Sequence, residues 1–204
     1  MKALLLAGGK GIRLHPLTNK LPKPMVPIMN KPLLERTMVH LKKSGISEIV
    51  ISSCYHSQNI KDYFGNGEHL GLNIQYIVED IPLGTGGAIK KAQDQFKDTF
   101  IVFYSDILSD IDIQKMIIYH KNSHAIATIA VTEVQNPSSY GVIEYDTKGY
   151  AVSFIEKPEP EQISSNLINA GIYIFEPQIL KEIPINSVVS LEREIFPKIL
   201  ATGR

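Results

Sequence analysis

The run Leu4-Leu5-Leu6-Ala7 leads straight into Gly8-Gly9-Lys10-Gly11, and this junction constrains the fold more than any other stretch of the chain. A short apolar run bounded by glycine reads as a buried strand. Gly8, Gly9 and Gly11 let backbone amides approach a ligand with no Cβ between them. Arg13 and Lys23 follow within fifteen residues of Gly8, and both offer fixed positive charge to anionic oxygens. The junction reads as a phosphate cradle at the end of a first strand, or as a plain turn. Two phosphate loops are excluded. The Gly-x-x-x-x-Gly-Lys-Ser/Thr pattern is absent, and the dinucleotide fingerprint needs Gly or Ala where Leu14 stands.

The pattern beyond it alternates strand and helix. Residues 2–7, 49–53, 73–79 and 100–104 read as strands, and residues 32–44, 57–64, 85–96 and 112–123 as helices. Pro32 falls in the first turn of its helix and Gly45 just past the end. This order implies an α/β fold with a mainly parallel sheet and helices on both faces. Residues 125–134, 141–145, 150–156 and 168–175 then read as four strands with little room for helices, so the sheet is expected to be mixed. Asp146-Thr147-Lys148-Gly149 reads as a hairpin turn. Residues 178–183 and 191–200 read as helical, the second broken by Pro197. No linker divides the chain, so residues 1–204 are expected to form one domain.

Composition narrows the function. The chain holds 21 Lys/Arg and 21 Asp/Glu, yet residues 1–43 carry nine of the cations and a single acid, Glu35. A basic segment in a neutral chain points to a focused anionic ligand. It does not suit a nucleic-acid surface, because the domain is not basic overall and aromatics are not interleaved with the cations. No apolar run approaches membrane-spanning length, and the first strand leaves no room for a signal peptide. The one cysteine, Cys54, excludes an internal disulfide and cysteine-rich zinc sites. It reads as a half-buried inert thiol. These features point to the cytoplasm. His120 and His124 straddle a helix end and read as surface residues, and the six histidines form no metal pattern.

Ligands of open α/β sheets bind beyond the carboxyl ends of the strands. Besides the first loop, several polar or glycine-rich groups fall at such ends. Gly84-Thr85-Gly86-Gly87 opens a helix and either presents backbone groups to a base or makes a tight turn. Asp106 either holds Mg²⁺ between phosphates or caps the following turn. Lys157 beside Glu156 either clamps a phosphate or forms an exposed ion pair. Asn169 suits sugar hydroxyls or serves as a satisfied buried amide.

The collinear set Leu6-Ala7-Gly8-Gly9-x-Gly11-x-Arg13-Leu14, Pro22-Lys23-Pro24, Leu83 to Ala88, Asp106, Tyr140-Gly141-Val142, Glu156-Lys157-Pro158 and Asn169 to Tyr173 resembles the sugar-1-phosphate nucleotidylyltransferases. Asn136 to Ile143 and Ser190 to Pro197 resemble most the mannose-1-phosphate guanylyltransferase branch. Glucose- and heptose-phosphate branches share much of the pattern. The resemblance implies a Rossmann-like three-layer α/β/α fold of the nucleotide-diphospho-sugar transferase type. It implies that Leu6, Ala7, Gly8, Gly9, Gly11, Gly84, Thr85 and Gly86 bind the nucleotide, and that Arg13 and Lys23 are catalytic. Tyr140, Gly141, Glu156, Asn169 and Gly171 would contact the sugar, Lys157 its phosphate, and Asp106 would hold Mg²⁺. The implied partners are an NTP and a sugar 1-phosphate, with no nucleic acid or membrane, and a homo-oligomer is left open.

The chain departs from the family pattern in two places. Ile12 stands where a small or polar residue is usual. A segment like Gly-x-Trp-x-Asp-Ile-Gly, which carries a second metal-binding Asp, is absent from a sequence without tryptophan. The chain is therefore expected to be truncated at its C-terminus. The alternative from another class is a non-catalytic protein that binds sugar nucleotides.

Overall fold

The computed structural model describes residues 1–201, apart from the side chain of Arg13. The chain begins with β1 (Lys2–Ala7), and a small hairpin of β2 (Pro27–Ile28) and β3 (Lys31–Pro32) follows. Then come α1 (Leu33–Lys43), β4 (Glu48–Ser53), α2 (Ser57–Phe64), β5 (Asn73–Val78), α3 (Gly84–Lys91) and β6 (Phe100–Tyr104). After α4 (Ile113–Ser123) come β7 (Ala127–Glu133), β8 (Gly141–Tyr145), β9 (Ala151–Glu156), β10 (Leu167–Phe175) and α5 (Phe196–Ala201).

The main sheet runs β5-β4-β1-β6-β10-β8-β9, with β7 also paired to β10. β1, β4, β5 and β6 are mutually parallel, and β10 runs antiparallel to β6, β7 and β8. The first half is parallel because its strands are apolar on both faces. Leu4 packs into the cluster containing Ile89, Phe96 and Phe196. Its neighbours Ala3 and Leu5 pack into the cluster containing Leu34, Met38, Ile60 and Met116. Helices therefore cover both faces, α1, α2 and α4 on one side and α3 and α5 on the other. Such a sheet, buried on both sides, forces the connections out to its ends.

The local details follow from backbone chemistry. Pro32 precedes α1 as its cap residue and does not lie in the first turn. Asp112 likewise stands outside α4, where its side chain accepts the Lys115 amide at 3.0 Å. Pro197 does not break a helix. Residues Leu191–Ile195 form a π-turn that runs directly into α5, with Pro197 as its second residue. The Asp146–Gly149 turn closes as expected, with the Gly149 amide donating to the Asp146 carbonyl at 2.9 Å. Cys54 is half-buried. His120 is not on the surface. It is 2% exposed, with Nδ1 against Thr128 Oγ1 at 2.7 Å and Nε2 against Glu176 Oε1 at 3.2 Å. The start of β7 folds back over α4 and covers it, a tertiary contact with no local signature. His124 is exposed at the helix end in the left-handed conformation.

The strand order sets the functional end of the molecule. From β1 the chain moves outward to β4 and β5, then returns to the opposite side of β1 as β6. The crevice beyond the carboxyl ends of β1 and β6 is thus a topological switch point. Register aligns Ala7 with Ser53 and Ser53 with Val78, while Leu6 pairs with Tyr104. The next residues along, Gly8, Cys54, Glu79 and Ser105, leave the sheet together at one rim.

Candidate active site

A cavity of about 280 Å³ opens at that rim. Its walls are Leu6 to Gly9 from the end of β1, Lys23 and Pro24, Glu79 and Pro82 after β5, Gly84, Thr85 and Ala88 of α3, and Tyr104 to Asp106 after β6. A larger groove of about 1000 Å³ lies elsewhere, between Tyr119, Tyr150, Phe154 and Leu200. No Asp, Glu, Lys or Arg lines it, and most of its wall is apolar or aromatic.

Two of the singled-out charges meet in the smaller cavity. Lys23 Nζ donates to Asp106 Oδ2, joining residues 83 positions apart. Their side chains are 28% and 35% exposed. Lys23 is placed by the short helical turn Lys23–Met25, which follows the extended Pro22, and Asp106 directly follows Ser105 at the end of β6. Ser105 itself is buried and donates through Oγ to the Leu6 carbonyl at 2.6 Å, so β6 is locked to β1 beneath Asp106.

The first glycine loop is shaped from within. Gly11 has φ +64, and its carbonyl accepts Thr18 Oγ1 at 2.8 Å and the Leu14 amide at 2.9 Å. Gly11 therefore forms the loop without lining the cavity, whereas Gly8 and Gly9 line it. The backbone of Arg13 lies in the turn Ile12–Leu14, and its side chain, given a catalytic role above, lies outside the described residues. Ile12 is 66% exposed, so no packing requirement explains an apolar residue there.

The second glycine cluster does something the sequence did not show. The Val189 carbonyl accepts the Gly86 amide at 2.8 Å and the Gly87 amide at 3.3 Å, while the Val189 amide donates to the Leu83 carbonyl at 2.9 Å. The Gly86 and Gly87 amides are thus capped by a distant segment and do not face a ligand. Gly84 and Thr85 line the cavity, but Gly86 is buried behind it. Thr85 Oγ1 is engaged as well, donating to Glu192 Oε2 at 2.8 Å and accepting the Leu191 amide at 2.9 Å.

The residues assigned to the sugar form a second group beside the cavity. Gly171, φ +67, sits where β10 bulges between Asn169 and Tyr173, and a Cβ there would fall 2.9 Å from Tyr104. Asn169 holds this bulge, accepting the Gly171 amide at 2.9 Å and donating to Tyr173 OH at 2.8 Å. Burial pushes the Tyr173 hydroxyl pKa up. Tyr140 and Gly141 start β8 and lie against Glu156 and Lys157, which end β9. Gly141 pairs with Glu156, and the Lys157 amide donates to the Tyr140 carbonyl at 2.9 Å. Tyr140 and Lys157 are exposed, and neither lines the cavity. The Ile168–Val142 pairing joins the two halves of this group.

Three residues of the site were missed by sequence reasoning. Glu79 lines the cavity at 4% exposure, accepting Ser52 Oγ at 2.9 Å and the Leu83 amide at 3.0 Å. An acid ending a parallel strand just before a glycine cluster is the signal that marks it. Tyr104 lines the cavity and donates to Glu192, which is buried at 8% exposure. Burial pushes the Glu192 carboxyl pKa up. Asp106 is the one carboxylate free of backbone bonds in the cavity, and among the described residues no group of three or more His, Cys, Asp or Glu stands ready to hold a metal. Its hard oxygens still suit Mg²⁺, an ion usually held by one or two carboxylates and completed by substrate phosphates and water.

The switch-point cavity thus sets glycine backbone, a lysine and a carboxylate side by side. The nucleotidyl transferase family profile matches residues 2–204, and the chain belongs to this family. It is 41% identical over 208 residues to the mannose-1-phosphate guanylyltransferase catalytic subunit beta of Dictyostelium discoideum, covering 100% of this chain and 57% of that protein. It is 38% identical over 217 residues to the UTP–glucose-1-phosphate uridylyltransferase of Synechocystis, covering 100% of this chain and 56% of that protein. The chain thus spans just over half the length of these curated relatives. The crystal structure of HddC from Yersinia pseudotuberculosis complexed with GMP-PN superposes with a TM-score of 0.82 at 32% identity, covering 97% of this chain and 85% of that one. No helix among the described residues is long and apolar enough to cross a membrane.

Proposed function

We propose that residues 1–204 form one catalytic domain that transfers a nucleotidyl group from an NTP to a sugar 1-phosphate, releasing pyrophosphate. GTP and mannose 1-phosphate are the substrates favoured by the 41%-identical relative. A cytoplasmic setting suits both substrates, and no nucleic acid or membrane is required. The meeting of Lys23 and Asp106 beside Gly8 and Gly9 carries this reading. A basic group at the glycine-lined end suits the triphosphate, and a hard carboxylate suits a divalent cation between phosphates.

The chemistry asks for positioning more than for acid–base catalysis. A phosphate oxygen of the sugar phosphate bonds to the α-phosphorus, and the bond from that phosphorus to the bridging oxygen of pyrophosphate breaks. The nucleophile is already anionic, so no general base is needed, which agrees with a cavity lined by neither His nor Cys. The obstacle is the approach of two polyanions, and fixed cations and held geometry lower it. When bound, a divalent cation on Asp106 supplies charge neutralisation on the phosphates. Lys23 faces the triphosphate in this reading and Arg13 keeps the catalytic role that the resemblance implies, while Asn169, Gly171, Glu156 and Lys157 order the sugar phosphate.

A pyrophosphate-release assay tests it, pairing GTP, UTP, dTTP and ATP with mannose, glucose and heptose 1-phosphates in the presence of Mg²⁺. Turnover fastest with GTP and mannose 1-phosphate is expected. A preference for UTP and glucose 1-phosphate would move the chain to the uridylyl branch, and no turnover with any pair would sink the enzyme reading.

A further inference from the structure

Glu192 is a buried acid that touches the site from behind. Its Oε2 accepts Thr85 Oγ1 at 2.8 Å and Ser190 Oγ at 2.7 Å, and its Oε1 accepts Tyr104 OH. Three hydroxyl protons thus converge on one carboxylate, which as an ionised group is acceptor-only and suited to receive them all. Thr85 and Tyr104 come from separate elements, the first turn of α3 and the last residue of β6, and both line the cavity. Glu192 does not line it. The turn Leu191–Ile195 that carries Glu192 is itself anchored, since the Leu191 amide donates to Thr85 Oγ1 and Ser190 Oγ accepts the Arg193 amide.

This arrangement changes what Thr85 can do. Its hydroxyl donates to Glu192 and accepts from Leu191, so its proton is committed and a ligand meets the residue only through its remaining surface. The proton of Tyr104 is committed as well, and its ring stands 5.6 Å from the ring of Tyr173, which Asn169 in turn holds at 2.8 Å. The tie therefore runs from α3 through Glu192 and Tyr104 to the bulge of β10.

We propose that Glu192 is a positioning residue that fixes the nucleotide cavity by tying Thr85 and Tyr104 to the Leu191–Ile195 turn, without itself touching substrate. The proposal rests on the reading of this cavity as the NTP site. Burial opposes the charged form of Glu192, and the Thr85 bond and the Arg193 charge act against that penalty. A carboxylate kept at this cost has partners that depend on it.

Steady-state kinetics of the Glu192→Ala, Glu192→Gln and Tyr104→Phe chains test it, using the substrate pair that the wild type turns over. Loss of the shared acceptor leaves two cavity-wall hydroxyls without their partner, and the nucleotide KM of Glu192→Ala is expected to rise about tenfold with kcat held within about threefold. The sugar-phosphate KM should stay within about threefold of wild type. Glu192→Gln keeps the volume and one acceptor oxygen and should recover most of the loss. Tyr104→Phe removes one arm and should fall between. A Glu192→Ala chain with a lower melting temperature and an unchanged nucleotide KM would overturn the proposal, because a purely structural residue moves only the first. If Glu192→Ala does not fold, an unchanged nucleotide KM in Tyr104→Phe overturns it. If the wild type turns over no substrate pair, the functional reading fails separately. The tie is then read from equilibrium binding of GTP to the same chains, and equal affinity across them overturns it.

Discussion

Gly84→Ala is expected to destabilise this chain by about 2–4 kcal/mol, an unusual penalty for the smallest possible enlargement. A Cβ at position 84 would lie 2.5 Å from the Val189 carbonyl oxygen and 3.1 Å from its carbon. That carbonyl cannot move aside cheaply, because it already caps the Gly86 and Gly87 amides at 2.8 and 3.3 Å. Relieving the clash by moving that carbonyl breaks both bonds, at about 1 kcal/mol each. The φ of +73 at this position adds about 1–2 kcal/mol for any residue with a Cβ. Reduced freedom of the unfolded chain returns about 0.4–1 kcal/mol, which leaves the range stated. Urea unfolding followed by far-UV circular dichroism measures it. With a urea slope of about 2 kcal/mol/M, the midpoint should fall by about 1–2 M at unchanged slope. A midpoint within about 0.3 M of wild type would refute the view that Val189 pins the start of α3.

Gly9→Ala is expected to do the reverse, because nothing lies within 4 Å of its would-be Cβ: stability holds or rises slightly, while nucleotide KM rises through hindered ligand approach. Wild-type KM in that variant would make the loop a plain turn. Lys23→Ala should cut turnover about 10²–10³-fold with little change in melting temperature, since a half-exposed ion pair contributes about 0–1 kcal/mol to stability. Turnover within about threefold of wild type would remove Lys23 from the chemistry. Glu192 binds its proton more tightly folded than unfolded, so the stability it contributes is fullest at low pH and declines as pH climbs above its ordinary value of 4.5. Glu192→Gln should therefore lose less stability than wild type between acid and neutral pH, and parallel melting curves across that range would contradict the raised carboxyl.

How much of this was legible in the sequence depends on the distance over which each feature is decided. Ser57–Phe64, Phe100–Tyr104 and Gly141–Tyr145 have the ends that period and turn residues indicate, because those signals are local. The parallel half of the sheet followed from the alternation of strands and helices. Placing Gly8, Gly84 and Asp106 at strand carboxyl ends led to the one cavity that all three line, while the contact of Lys23 with Asp106 had no local signal. What stayed hidden were the partners supplied from afar. The amides of Gly86 and Gly87 look like part of an open cradle until Val189 takes them, and Thr85 looks like a ligand donor until Glu192 takes its proton. His120 looked exposed at a helix end until β7 and Glu176 enclosed it. A sequence shows that a group wants a partner and is silent on which distant residue provides it.

The cavity that results has two walls of different character. Thr85 and Tyr104 are locked by a buried carboxylate, and leaving a buried hydroxyl without its partner costs about 1–3 kcal/mol. Lys23 and Asp106 are locked only to each other, at about a third exposed, where such a pair is worth about 0–1 kcal/mol. On the proposed function, an incoming triphosphate and cation would separate the second pair with little loss, freeing the lysine for phosphate oxygen and the aspartate to hold the cation. The pair offsets the charge of Asp106 and so lessens its repulsion of a first polyanion. The same separation could not be made cheaply at Glu192. Exchange of partners on one wall and rigidity on the other is the division of labour that two-polyanion chemistry requires, since charge must be released during binding while the geometry at the α-phosphorus stays fixed.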